Sequence, residues 1–141
     1  MATTKQHDEN YVKKLIKKWL DEQGAWHFPI PANGMGVSGI PDRLAVFDEG
    51  LLVAIEAKRP GRRGEVNRGC SALQVKALRA IAAKGGIAWV VDGEEDLEAL
   101  LLAVRTRQPS QWLRDHGLEY ARKYGSFNEK TNLDLDYWKK K

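Results

Sequence analysis

Cysteine occurs once, as Cys70, so no disulfide can close within the chain, and a reducing compartment is expected. Histidine occurs three times, as His7, His27 and His116, without the spacing of a zinc site. No apolar run approaches the roughly 20 residues that cross a bilayer. Met1-Ala2-Thr3-Thr4 opens the chain without a signal peptide's apolar core, so a cytoplasmic protein with no membrane partner is expected. Internal repeats and low-complexity tracts are also missing. What remains is a 141-residue chain, enough for one domain with its own core. Its net charge of +4 and pI near 9.2 lean mildly toward a polyanionic partner without naming nucleic acid.

Two short patterns carry chemistry. Pro41-Asp42 opens one strand-like run, and Glu56-Ala57-Lys58 closes the next, after the apolar stretch Leu51-Leu52-Val53-Ala54-Ile55. Strand side chains alternate faces, so Glu56 and Lys58 emerge on one side and Ala57 points into a core. Asp48-Glu49-Gly50 reads as the hairpin turn between the runs 42–47 and 51–58. Antiparallel pairing across that turn brings Asp42 and Glu56 together. Converging carboxylates suit a hard divalent cation, and an adjacent ammonium suits a water or a phosphate's developing charge.

The flanking segments read as follows. An amphipathic helix is expected over 8–23, with Tyr11, Val12, Leu15, Ile16, Trp19 and Leu20 on its apolar face and Lys13, Lys14, Lys17 and Lys18 opposite. Asp8 suits the N-cap and Gly24 the stop. Glu9 falls between Ile16 and Leu20, where a carboxylate needs a partner such as a cation, unless it only complements the helix dipole. A short strand at 26–30 precedes Gly34, Gly36 and Gly39, which spell G-x-G-x-x-G. A strand rather than a helix follows, so a dinucleotide site is rejected, and the glycines are expected to let backbone approach nucleic acid or metal. The loop 59–69 carries Arg59, Arg62, Arg63 and Arg68 beside Lys58, either holding phosphates or lying solvated at the surface. A second helix over 71–84 places Gln74 on its buried stripe with Leu78 and Ile81, either for structure or for a site. A strand at 87–91 and a helix over 94–104 complete the order αβββαβα.

Gly36-Val37-Ser38-Gly39-Ile40-Pro41-Asp42, Ile55-Glu56-Ala57-Lys58 and Leu73-Gln74 together resemble the PD-(D/E)XK nuclease superfamily. More closely they resemble its virus-type replication-repair nuclease domain (VRR-NUC), in the compact form that phages encode. The likeness spans about 9–91. It implies a restriction-endonuclease-like α/β/α sandwich around a small mixed sheet, with a nuclease domain over 1–104 and a C-terminal appendage over 105–141. It further implies an Mg2+- or Mn2+-dependent endodeoxyribonuclease in phage or bacterial host cytosol. Asp42, Glu56, Lys58 and Gln74 would be its catalytic residues, and Glu9, Asp42, Glu56 and the Ala57 carbonyl its metal ligands. Ser38, Arg59, Arg62, Arg63 and Arg68 would contact DNA. Branched DNA of the Holliday-junction type is the first substrate expected, cut by a two-fold homodimer. A non-catalytic nucleic-acid-binding module and a restriction-type nuclease on linear duplex are the alternatives.

The likeness does not reach 105–141. There Arg105, Arg107, Arg114, Arg122, Lys123 and Lys139-Lys140-Lys141 alternate with Trp112, Tyr120, Tyr124, Phe127, Tyr137 and Trp138. Such a segment either binds phosphates and stacks on unpaired bases or packs its aromatics on the body or a second subunit.

Overall fold

A computed structural model describes residues 8–31, 38–107, 119 and 129–135. Its order is α1 (Glu9–Glu22), β1 (Trp26–Pro29), β2 (Arg43–Phe47), β3 (Leu51–Ala57), α2 (Ala72–Ala83), β4 (Ile87–Val91) and α3 (Glu94–Arg107). The expected succession is present, with boundaries that move by one to three residues. Asp42 and Lys58 lie just outside their strands, and α3 runs through Arg105 and Arg107, across the expected boundary at 104.

The four strands form one mixed sheet in the order β1-β2-β3-β4, antiparallel except for the parallel β3–β4 pair. The turn between β2 and β3 is tight because Glu49 (φ 65°) and Gly50 (φ 76°) both adopt left-handed backbone. The parallel pair requires a crossover, which α2 supplies. β3 is central and buried from Val53 onward on both faces.

The helices divide between the two faces. Val12, Ile16 and Leu20 of α1 pack with Leu97, Leu100 and Val104 of α3 on Ala45, Val53, Ile55, Ala57, Trp89 and Val91. Leu78, with Val75 and Ile81 beside it, packs on Ala88 and Val90 from the other side. The protein is therefore a mixed α/β domain with two helices on one face and one on the other.

Every fourth residue of α1 is buried, and Asp8 caps it by accepting from the Tyr11 amide at 3.0 Å. Tyr11 itself, expected on the apolar face, is 37% exposed, while its neighbour Val12 is fully buried.

Beyond the expected core, 129–135 docks on the free edge of β4. Asn132, fully buried, accepts from the Val90 amide at 2.8 Å and donates to the Val90 carbonyl at 2.7 Å. The Ala88 amide donates to the Lys130 carbonyl, and Leu133 joins the α2-side cluster. This part of the C-terminal segment thus belongs to the body of the domain. The aromatics at 112, 120, 124, 127, 137 and 138, and the basic residues at 114, 122, 123 and 139–141, lie outside the described residues.

Candidate active site

The β2–β3 hairpin makes the site. One step beyond the Arg43–Ile55 pair, Asp42 stands opposite Glu56. The Ile30 amide donates to the Asp42 carbonyl at 2.7 Å, which prolongs the β1–β2 ladder to that point. The Ala57 amide donates to Asp42 Oδ2, also at 2.7 Å. Asp42 is therefore fixed from both neighbouring strands.

Glu56 and Lys58 share the α2 side of β3, and both are buried, while Ala57 enters the opposite core, as the strand period requires. Lys58 Nζ lies 3.7 Å from Glu56 Oε2. Gln74 joins the two: its Nε2 donates to Glu56 Oε2 at 2.9 Å, and its Oε1 accepts from Lys58 Nζ at 2.9 Å. The same Oε1 accepts from the Ser71 amide, and the Gln74 amide donates to Ser71 Oγ, closing a capping box at the start of α2. One carboxamide thus caps the helix and clamps the carboxylate and the ammonium.

The electrostatics leave a deficit of positive charge. Burial pushes the Glu56 carboxyl up to about 8, with Asp42 adding to the rise and Lys58 opposing it. Burial also raises Asp42, against the Ala57 amide and Lys13. Each carboxylate spends one oxygen on a hydrogen bond, Asp42 Oδ2 on Ala57 and Glu56 Oε2 on Gln74. A hard cation at the remaining oxygens would relieve the strain, so the donor chemistry fits Mg2+ or Mn2+.

Glu9 does not complete a carboxylate trio. It is about half exposed rather than aimed into the core, and its Oε2 lies 3.5 Å from Lys13 Nζ. Lys13, expected on the solvent face, turns toward Asp42 Oδ1 at 3.8 Å. Among the described residues, no three His, Cys, Asp or Glu side chains close on a common point. Asp42 and Glu56 are therefore the two carboxylates that converge here, and Glu9 stands farther out beside Lys13.

The arginine loop departs from its expected role. Arg68 is buried, its Nη2 2.6 Å from Asp96 Oδ1. Arg63 pairs with Asp92 at 3.0 Å, Glu95 at 3.2 Å and Asp96 at 3.3 Å, and its amide donates to Asp92 Oδ2. Arg62 meets Glu65 Oε2 at 2.7 Å. These three guanidiniums have carboxylate partners within the chain, and those of Arg63 and Arg68 tie the loop to the β4–α3 turn. Arg59 remains exposed beside Lys58, and Ser38 is exposed in the turn ahead of Pro41.

Gly39 is also reassigned. At φ +83°, a Cβ there would lie 2.6 Å from the Leu73 carbonyl carbon, so its close approach is to the first turn of α2. That contact seats the loop before Asp42 against the helix carrying Gln74. Gly34 and Gly36 lie outside the described residues.

Sequence reasoning missed Lys13, Asp92, Asp96 and Asn132. Asp92 has a partial signal, as it precedes Gly93 in a turn, but Asp96 stands among Glu94, Glu95 and Glu98 with nothing in the sequence to mark it as the buried one. Asn132 leaves no such trace. Compared with protein-family models and with curated proteins, the chain matches neither. Among the described residues, no helix is long and apolar enough to cross a membrane.

Proposed function

We propose that this protein is a divalent-metal-dependent DNA endonuclease of the PD-(D/E)XK type, with a restriction-endonuclease-like sandwich. The observation that carries the reading is the buried Glu56–Gln74–Lys58 clamp, one register step from Asp42. A structural role would be better served by apolar residues, because burying this many charges costs free energy unless a ligand uses them.

Asp42, Glu56 and the Ala57 carbonyl would hold Mg2+ or Mn2+, with Glu9 contributing through water. The ion would supply Lewis-acid polarisation of the phosphate and neutralise charge on the leaving oxygen. Lys58, aimed as an ammonium by Gln74 Oε1, would orient the attacking water and balance charge on the phosphate, and the water's proton would pass to solvent. In-line attack then breaks the P–O3′ bond, leaving a 3′-hydroxyl and a 5′-phosphate. Branched DNA is the proposed substrate class, with a second copy related by a two-fold axis placing a second centre on the opposing strand of a four-way junction.

Incubation with linear, flapped and four-way DNA, in Mg2+ and in excess EDTA, tests this reading. Cleavage that needs the metal and favours the four-way substrate supports it, and no cleavage of any substrate with Mg2+ or Mn2+ sinks it. Lys58→Ala is expected to lower single-turnover cleavage about a hundredfold. Its DNA affinity in Ca2+ should stay within about twofold, because one cation among many phosphate contacts is lost. A matching loss of affinity would make Lys58 a binding residue instead. Arg59→Ala, the loop arginine that stays exposed, is expected to reduce the slope of log affinity against log salt by about 0.9. An unchanged slope would remove Arg59 from the DNA interface.

A further inference from the structure

The proposed centre contains a second lysine that its motif does not account for. Lys13 Nζ lies 3.8 Å from Asp42 Oδ1 and 3.5 Å from Glu9 Oε2. Asp42 Oδ2 is already engaged by the Ala57 amide, so Lys13 faces the oxygen that a bound ion would use. The other lysines of α1 do not share this place. Lys17 pairs with Asp21 at 3.2 Å, and Lys14 and Lys18 are exposed.

We propose that Lys13 is a resident counter-ion of the centre, covering Asp42 Oδ1 in the metal-free protein and swinging away when a divalent ion binds. This inference rests on the metal-dependent reading and adds a competition between ion and side chain to it. The geometry allows the exchange. At 3.5 and 3.8 Å the pairs are loose, and the side chains are 44% (Lys13), 45% (Glu9) and 26% (Asp42) exposed. An ammonium on a four-carbon stem can therefore leave Asp42 for water with little loss. Lys58 cannot do the same, because it is buried and hydrogen-bonded to Gln74. The two lysines thus divide the work: Lys58 is held in place, and Lys13 is displaceable.

Removing Lys13 takes away one positive charge that a divalent ion would otherwise meet. At the screening of a half-exposed site, this corresponds to about tenfold in ion affinity. The test is calorimetric titration of Mn2+ into the full-length protein without DNA, for wild type, Lys13→Met, Lys13→Gln and Lys14→Met. The expected result is about tenfold tighter binding for both Lys13 variants and a change within twofold for Lys14→Met, which alters net charge equally. Circular dichroism confirms that each variant is folded. Wild-type or weaker affinity in the folded Lys13 variants overturns the proposal, as does an equal gain in Lys14→Met. A wild type that binds no Mn2+ overturns the metal-dependent reading itself, a distinct outcome from unchanged affinity among variants that do bind.

Discussion

Asp42→Ala and Glu56→Ala are each expected to lower DNA cleavage by at least about a thousandfold while leaving the protein folded, since each would remove one of the two carboxylates proposed to hold the ion. The metal-free protein should also register the missing charge. Glu56 loses its proton at about 8 in the folded state, against 4.5 for an ordinary glutamate. Between those values the folded state holds one proton more than the unfolded state, so this group makes stability fall as pH rises from about 4.5 to about 8 and contributes no further slope above. Glu56→Gln abolishes that loss. At pH 9 the variant should exceed wild type by roughly 2–4 kcal/mol, or about 5–10 °C in Tm, and at pH 4 the two should nearly coincide. Saturating Mn2+ should raise the wild-type Tm and leave that of Glu56→Gln almost unmoved. Full cleavage by either alanine variant, or a wild type whose stability does not decline between pH 5 and 8, contradicts this assignment of the centre.

Ending the chain near Val104 retains every residue of the catalytic motifs, and the sequence suggests a folded nuclease core. The structure leads to the opposite expectation. Such a truncation removes Asn132, which satisfies both the amide and the carbonyl of Val90, together with the buried Leu133. Two backbone groups left without partners and one exposed apolar pocket amount to roughly 4–8 kcal/mol, comparable to the whole stability of a domain this size. The truncated protein should be largely unfolded or aggregated at 25 °C. Asn132→Ala in the full chain should shift the urea midpoint downward by the equivalent of roughly 2–5 kcal/mol with m unchanged. A cooperative, wild-type-like melt for the truncated protein would show that 129–135 is dispensable.

Local rules made much of this site legible. The period-two alternation and the Asp48-Glu49-Gly50 turn suffice to set Asp42 against Glu56 and to put Glu56 beside Lys58. The helical spacing of Gln74, Leu78 and Ile81 puts Gln74 on the buried stripe of α2, whereas the capping box that aims it appears only in the fold. Contacts between distant segments were not legible. Arg63 and Arg68 stand beside Lys58 in sequence, yet their partners lie at Asp92 and Asp96, 29 and 28 residues on, and no local period links the two segments. A cluster of arginines reads the same whether it awaits a phosphate or neutralises buried carboxylates. Only the folded chain distinguishes these cases. Glu9 shows a subtler failure: a helical wheel assigns a direction around an axis but does not show what lies there, and Glu9 ends half exposed beside Lys13 rather than in the core.

The carboxamide of Gln74 has a head and a tail, and the start of α2 decides which way it points. Its oxygen must face the Ser71 amide, so its NH2 group must face position 56. Position 56 can then hold only an acceptor, and position 58, which meets the oxygen, only a donor. Exchanging the two residues, with lysine at 56 and glutamate at 58, would conserve charge, volume and burial. It would nevertheless set like against like at both ends of the amide, and rotating the amide to repair this would turn its NH2 group toward the Ser71 N–H and uncap the helix. The order in which the acid and the base follow one another at the end of β3 is thus written in the polarity of a helix that begins only at Ala72.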